Sequence, residues 1–294
     1  MPALHTTVWT WGEMIKFGHS VFALPFSLLA TFLAARPNHP TWTQLTLIIV
    51  CMVAARSAAM TFNRLADRRI DAANARTAGR ALPRGTISPA AAWAFFIAAC
   101  GAFVLGCGGF LWACGNPWPL YLCVPVLLFL CVYSYTKRFT RWSHLVLGAG
   151  IALAPVAAWI AISPATLGAP AWLLLAAVTF WVGGFDVIYA CQDVDFDRSF
   201  GLHSVPARLG VPTALWLARA CHTITAAALV AVGLTAGLGT LYFVGVACVV
   251  ILLIVENALV SPRDLSRVNV AFFNVNGVIG LVLGLLGVLD ILLS

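Results

Sequence analysis

The stretch Leu45-Thr-Leu-Ile-Ile-Val-Cys-Met-Val-Ala-Ala-Arg56-Ser-Ala-Ala-Met-Thr-Phe-Asn63-Arg-Leu-Ala-Asp67-Arg-Arg-Ile-Asp71 is apolar for the width of a membrane and then abruptly charged. A helix needs about 20 apolar residues to cross a bilayer, and 43–62 supplies them. Asn63, Asp67 and Asp71 then recur every four residues, which places them on one helical face. A second cluster, Asp193-Val-Asp195-Phe-Asp197, ends another such segment, and the two clusters hold five of the ten acidic residues. Carboxylates near hydrocarbon are costly, and two at i,i+4 repel each other. A bound cation removes both penalties. Mg²⁺ takes one or two protein carboxylates and completes its shell with water and phosphate oxygens. The spacing therefore predicts two metal-bearing walls serving one diphosphate.

Composition agrees with a membrane setting. The chain has 294 residues, 62% apolar and 9% charged, with a mean hydropathy of +0.96. Soluble domains carry about 25% charged residues. The opening Met-Pro-Ala-Leu-His-Thr-Thr lacks a basic n-region and a small-residue cleavage site, so no cleavable signal peptide is expected. Nine cysteines lie mostly inside apolar runs without a C-x-x-C pair, which reads as packing rather than metal ligation.

Membrane-length segments fall at 17–35, 43–62, 89–113, 118–135, 143–164, 170–191, 212–235, 240–260 and 269–292, nine in all. Sorting the 17 basic residues along these segments puts all but Arg36 on one side. By the positive-inside tendency that side is cytoplasmic, with the N-terminus inside and the C-terminus outside. The net charge of +7 thus orients the protein and gathers anions, with no nucleic acid required. Both acidic clusters fall on the cytoplasmic side. Each is followed by a basic stretch, Leu82-Pro-Arg-Gly85 and Pro206-Ala-Arg-Leu-Gly210, a faint internal repeat.

Six arginines populate 63–88. Arginine's planar fork matches phosphate oxygens in pairs. Arg76 and Arg80, just past the carboxylates, are assigned to diphosphate contact; Arg64 and Arg69 are assigned to lipid head groups or topology. Lys137, Arg138 and Arg141 follow Tyr133-Ser-Tyr135 and read either as an interfacial anchor or as a second anion site. Asp186 and Tyr189 precede Asp193 by seven and four residues, on roughly its face. Asp186 within an apolar segment is expected to line a site or to pair with Arg56. Asn274, Asn276, His19 and Ser20 are weaker candidates, consistent with interhelical hydrogen bonds. Some of the 11 Trp and 18 Phe could face a developing carbocation.

These motifs resemble the UbiA superfamily of membrane aromatic prenyltransferases. The matching stretches are N-x-x-x-D-x-x-x-D at 63–71, Arg76-Thr-Ala-Gly-Arg80-Ala-Leu-Pro-Arg-Gly85 and Asp186-x-x-Tyr189-Ala-x-x-Asp193-x-Asp195-x-Asp197, and the likeness covers essentially the whole chain. Met14-Ile-Lys-Phe-Gly-His-Ser-Val-Phe-Ala-Leu-Pro25-Phe and Tyr133-Ser-Tyr-Thr-Lys137-Arg138-Phe-Thr are similar to the 4-hydroxybenzoate polyprenyltransferase group. Tyr189-Ala-Cys-Gln-Asp-Val-Asp-Phe-Asp-Arg198 and Val268-Asn-Val-Ala-Phe-Phe-Asn-Val-Asn-Gly277 are most similar to the MqnP branch, placed in the futalosine route to menaquinone. His203 stands where the 4-hydroxybenzoate group usually has Lys, which opens the identity of the acceptor.

The resemblance implies an all-α polytopic protein forming a single domain over 1–294, its nine transmembrane helices arranged around a central cavity open to the cytoplasmic side of a bacterial inner membrane. It implies Mg²⁺-dependent transfer of a polyprenyl group from a polyprenyl diphosphate to a ring carbon of an aromatic hydroxy acid in ubiquinone or menaquinone biosynthesis. The acceptor is of the 4-hydroxybenzoate type or is 1,4-dihydroxy-6-naphthoate. Asn63, Asp67, Asp71, Asp193 and Asp197 are implied as Mg²⁺–diphosphate ligands, and Arg76 and Arg80 as phosphate contacts. Lys137 and Arg138 are implied as acceptor or phosphate contacts, Asp186 and Tyr189 as substrate-binding, and Asp195 as an aid to acceptor deprotonation. The rivals are a phosphatidyl transferase, whose D-G-x-x-A-R type motif is absent, a haem-type or chlorophyll-type prenyltransferase, which shares the aspartates but differs in acceptor, and a cation-coupled transporter, which would place working residues near the midplane of both halves.

Overall fold

The structure, a computed structural model, describes residues 4–15 and 20–294, with side chains over 9–15 and 23–294. Lys16 and His19, and the side chain of Ser20, lie outside the described residues. In chain order the helices are α1 (Leu4–Met14), α2 (Ser20–Ala35), α3 (Trp42–Ala66), α4 (Arg68–Ala73), α5 (Pro89–Cys114), α6 (Trp118–Thr136), α7 (Ser143–Ile162), α8 (Ala169–Ala190), α9 (Val194–Phe200), α10 (Val205–Leu209), α11 (Val211–Ala236), α12 (Thr240–Ala258) and α13 (Asn276–Leu293). Short 3₁₀ turns cover Pro164–Thr166 and Cys191–Asp193, and a π-turn covers Val270–Val275. Among the described residues eight helices are long and apolar enough to cross a membrane, and the chain is an integral membrane protein. The segment expected first, 17–35, enters as α2, whose apolar part Ala23–Ala35 is shorter than those eight. The short α1 was not anticipated from hydropathy.

Two compact units make up the chain: one gathers the described N-terminal residues with Thr46–Tyr135, the other Val21–Leu45 with Thr136–Ser294. In the first, Met14, Ile15, Leu82, Ile87 and Ala92 form a small core under the basic loop. In the second, α8 packs on both α7 and α11 and carries the most buried side chains, Leu174, Val178, Trp181 and Val182. Outward faces keep large apolar residues exposed, including Leu105, Leu128, Ile254 and Leu285. Such surface belongs against lipid rather than water.

Lipid is as apolar as leucine, so helices associate through close packing instead of solvent exclusion. Gly148 shows this: a Cβ there would collide with the Thr179 carbonyl, so α7 and α8 meet only because the position is glycine. Helix ends are closed by side chains. Asp290 accepts from the N–H groups of Gly239 (2.6 Å) and Leu241 (3.1 Å) at the start of α12. Arg36, the one basic residue assigned to the outer side, donates to the Ala236 carbonyl at 2.9 Å, at the end of α11. Both arrangements match charge to the helix dipole. All nine cysteines are free thiols.

Candidate active site

The acidic cluster of the first unit forms where α3 stops. Asp67 leaves helical geometry (φ −95°, ψ 5°) and α4 starts at the next residue. The i→i−4 bonds nevertheless continue, Asp67 N–H to Asn63 O at 2.9 Å and Asp71 N–H to Asp67 O at 2.8 Å. The three motif residues therefore stay on one face through the break. Asn63 Nδ2 donates to Asp67 Oδ2 at 3.1 Å and to Ser134 Oγ at 3.4 Å, which orients the amide. Asp67 and Asp71 are both buried.

Asp71 sits between two guanidinium groups. Arg80 donates to its Oδ1 at 2.6 Å, and Arg64 lies 3.9 Å from its Oδ2. Arg64 also donates to the Met14 carbonyl at 3.4 Å and is buried. That corrects its assignment to lipid or topology: burial beside a carboxylate makes it part of the acidic cluster. Arg69 is exposed, as a topology residue would be. The loop behind Arg80 is fixed by Thr77, whose hydroxyl donates to the Asp71 carbonyl at 2.9 Å, and by Asn74, whose Oδ1 accepts the Arg76 N–H at 2.9 Å. Arg76 itself is exposed.

The second unit repeats the device. After α8 a 3₁₀ turn brings the chain to Asp193, whose backbone (φ −107°, ψ 12°) nearly reproduces that of Asp67, and α9 follows. This is the sparsely populated bridge region where many active-site residues sit. Asp193 is half-buried and Asp197 is buried, four residues apart. Gly201 (φ 75°) ends α9 in a left-handed conformation, so that the chain turns back and Leu202 N–H reaches the Asp197 carbonyl at 2.8 Å. The Ser204 hydroxyl hydrogen-bonds Asp197, with Lys137 and Asp193 as charged neighbours of opposite sign. The His203 N–H donates to the Lys137 carbonyl at 2.7 Å, tying the post-motif loop to the basic group.

Asp195 is exposed and, two residues from each neighbour, faces away from the Asp193–Asp197 side. Arg138 is exposed as well. Asp186 has a partner that the sequence did not indicate. Its Oδ2 accepts from His144 Nδ1 at 2.7 Å, while His144 Nε2 accepts the Val205 N–H at 3.3 Å. A carboxylate on Nδ1 and a backbone N–H on Nε2 fit the tautomer that carries its proton on Nδ1. Tyr189 packs against Phe272, ring centres 4.2 Å apart and planes tilted by 37°. Of the weaker candidates, Asn276 is buried and Asn274 exposed. Glu256, fully buried, was also overlooked, although a glutamate inside an apolar span is itself a signal.

The donor set fits Mg²⁺. Asp71 Oδ2 is buried and accepts no hydrogen bond among the described residues. Each cluster offers two carboxylates, four residues apart. Among the described residues no group of three or more His, Cys, Asp or Glu could enclose a metal by itself. A cation that keeps part of its shell for water and phosphate is the kind such a set accommodates.

Residues 23–278 match the UbiA prenyltransferase family. A 4-hydroxybenzoate octaprenyltransferase of Alkalilimnicola ehrlichii is 28% identical over 287 residues, spanning 96% of this chain and 95% of that protein. Another, of Aeromonas hydrophila subsp. hydrophila, is 31% identical over 85% of this chain and 84% of its own length. Among solved structures, the apo form of a UbiA homolog from Aeropyrum pernix K1 superposes with a TM-score of 0.83 at 32% identity, covering 92% of this chain and 98% of that one. A UbiA homolog from Archaeoglobus fulgidus bound to GPP and Mg²⁺ shares the fold, with a TM-score of 0.73 at 19% identity over 96% and 99% of the two chains.

Proposed function

This chain belongs to the UbiA prenyltransferase family, and from that membership we propose that it transfers a polyprenyl group from its diphosphate to a ring carbon of an aromatic hydroxy acid of the 4-hydroxybenzoate type. The observation that carries the reading is the repeated acidic device. Asp67 and Asp193 each break a membrane helix in the same backbone conformation, each is followed four residues later by a buried carboxylate, and basic side chains flank both pairs. Relatives named 4-hydroxybenzoate octaprenyltransferase over most of the chain support the acceptor class.

In this reading Asn63, Asp67, Asp71, Asp193 and Asp197 hold Mg²⁺ with the diphosphate. The bound metal would neutralise charge growing on the departing diphosphate. Arg80, already anchored on Asp71 at 2.6 Å, presents its remaining N–H groups to phosphate oxygens, and Arg76 approaches from the exposed side of the same loop. Arg64 holds Asp71 from behind. Lys137 and Arg138 meet the acceptor's carboxylate or the leaving group. Asp186, oriented by His144, and Tyr189 line the acceptor side. Asp195, which faces away from the Asp193–Asp197 side, would assist acceptor deprotonation only through solvent. The basic side of the chain is cytoplasmic in a bacterial inner membrane, so acceptor and diphosphate are exchanged there, while the lipid donor enters from the bilayer.

A second acceptor, 1,4-dihydroxy-6-naphthoate, is favoured by His203. Its Nε2 lies 2.5 Å from an Arg208 guanidinium nitrogen, and its Nδ1 is buried and makes no hydrogen bond among the described residues. The test offers both acceptors side by side with Mg²⁺ and farnesyl or longer diphosphates, and identifies products by mass spectrometry. A prenylated aromatic acid that disappears with EDTA is expected. Failure to form either product, together with cation-driven flux in vesicles, would favour the transporter.

A further inference from the structure

Asn276, the first residue of α13, is completely buried and makes contacts in three directions. Its Nδ2 donates to Glu256 Oε1 at 2.8 Å and to the carbonyls of Ala271 and Phe272 at 3.1 and 3.3 Å. Its Oδ1 accepts the Trp181 indole N–H at 2.7 Å. Glu256 is held on α12 with its other oxygen 4.0 Å from His222 Nε2. A carboxylate and an amide at the centre of a membrane bundle are expensive, and apolar residues would pack the helices as well. The carbonyls that Asn276 captures belong to the π-turn Val270–Val275. Such a turn carries an extra residue, recurs at functional sites and leaves carbonyls without their regular partners.

The turn displays two rings toward α8. Phe272 lies 4.2 Å from Tyr189 between centroids and 5.1 Å, edge-on, from Phe185. Phe273 lies 4.7 Å from Phe272 and 6.2 Å from Tyr189, both nearly perpendicular. Tyr189 and Phe273 are half-buried, so this cluster is accessible on one side. Tyr189 stands one helical turn before Asp193, which the reading above makes a ligand of Mg²⁺–diphosphate.

We propose that the faces of Tyr189, Phe272 and Phe273 receive the positive charge that develops on the prenyl carbon, and that Asn276, braced by Trp181 and Glu256, is the positioning residue that keeps both phenylalanines there. The inference rests on the prenyl-transfer reading. In the step concerned, the C–O bond to diphosphate breaks and both its electrons leave with the diphosphate. The allylic cation then forms a bond either to the acceptor's ring carbon, which loses its proton, or to water, which loses a proton to give the prenyl alcohol. Ring faces attract the cation and shield it from water. Without them, less of the cation reaches the acceptor.

The test measures diphosphate release, prenylated acceptor and prenyl alcohol together for the full-length enzyme and for Phe272→Leu, Phe273→Leu and Trp181→Phe. The leucine variants stay apolar and lose the ring; the Trp181 variant stays aromatic and loses the N–H that braces Asn276, together with part of the ring that packs on Phe26 and Phe185. The expected result is a rise in the alcohol-to-product ratio of roughly three- to tenfold in the leucine variants, a smaller rise in Trp181→Phe, and a fall in kcat with little change in KM for the diphosphate. A ratio unchanged in all three, whatever their total turnover, overturns the proposal, because a purely structural role lowers both products together. Should a leucine variant fail to fold, Trp181→Phe decides alone. A wild-type protein that releases no diphosphate refutes the prenyl-transfer reading itself, and this inference with it.

Discussion

Asp67 and Asp193 share one backbone conformation, φ −95°, ψ 5° and φ −107°, ψ 12°, each at the residue where one helix gives way to a shorter one. In both places the next carboxylate, Asp71 or Asp197, is four residues on and buried. Conformation and spacing together set these two positions up as counterparts. Asp67→Asn and Asp193→Asn keep side-chain volume and remove charge. Each is expected to lower turnover by about 100-fold or more while the thermal melt of the purified protein stays close to wild type. A variant retaining near-normal turnover with Mg²⁺ would remove that residue from the site.

Arg64 and Arg69 separate a buried role from a surface one. Arg64 is enclosed with Asp71 at 3.9 Å and Met14 O at 3.4 Å, whereas Arg69 is exposed. Arg64→Ala leaves a buried carboxylate less compensated. It is expected to lower the melting temperature and to raise the Mg²⁺ concentration giving half-maximal rate. Arg69→Ala should change neither. Equal effects of the two substitutions would contradict this division.

His144 joins three parts of the second unit: Asp186 at 2.7 Å, the Val205 N–H at 3.3 Å and, through the adjoining Ser204, the loop behind Asp197. His144→Ala leaves a carboxylate and a backbone donor unsatisfied, a cost of about 1–3 kcal/mol each when buried. His144→Asn restores a donor near Nδ1 and is expected to recover part of the activity. Urea or thermal unfolding beside initial rates measures both quantities.

Gly148 and Gly277 make a contrasting pair. A methyl group at Gly148 meets the Thr179 carbonyl, and at Gly277 it meets nothing within 4 Å. Gly148→Ala is expected to destabilise by about 1–3 kcal/mol, and Gly277→Ala to be neutral or mildly stabilising through helix propensity. Melting curves in one detergent compare them directly.

Seven of the spans were legible because apolar length and Pro or Gly joints are local properties: 89–113 becomes Pro89–Cys114 and 212–235 becomes Val211–Ala236. The last segment, 269–292, was located but read as one regular helix; its π-turn at Val270–Val275 has no compositional mark, since a widened turn depends on Asn276 reaching Ala271 and Phe272. The motif carboxylates were visible as charges out of place. Their partners were not. Nothing local to His144 ties it to Asp186, 42 residues away, and Arg64 looks no different in sequence from Arg69 until burial separates them. Side-chain pairing between helices is a product of packing, which a linear pattern does not encode.

The capping of α12 by Asp290 has one further bearing. Asp290 lies in the last turn of α13, and Ser294, just past that helix, reaches Arg36 at 3.5 Å. The last turn of α13 is thus a keystone rather than a tail. Removing Asp290 and the residues after it would strip α12 of its anchoring anion and loosen Arg36 from Ser294.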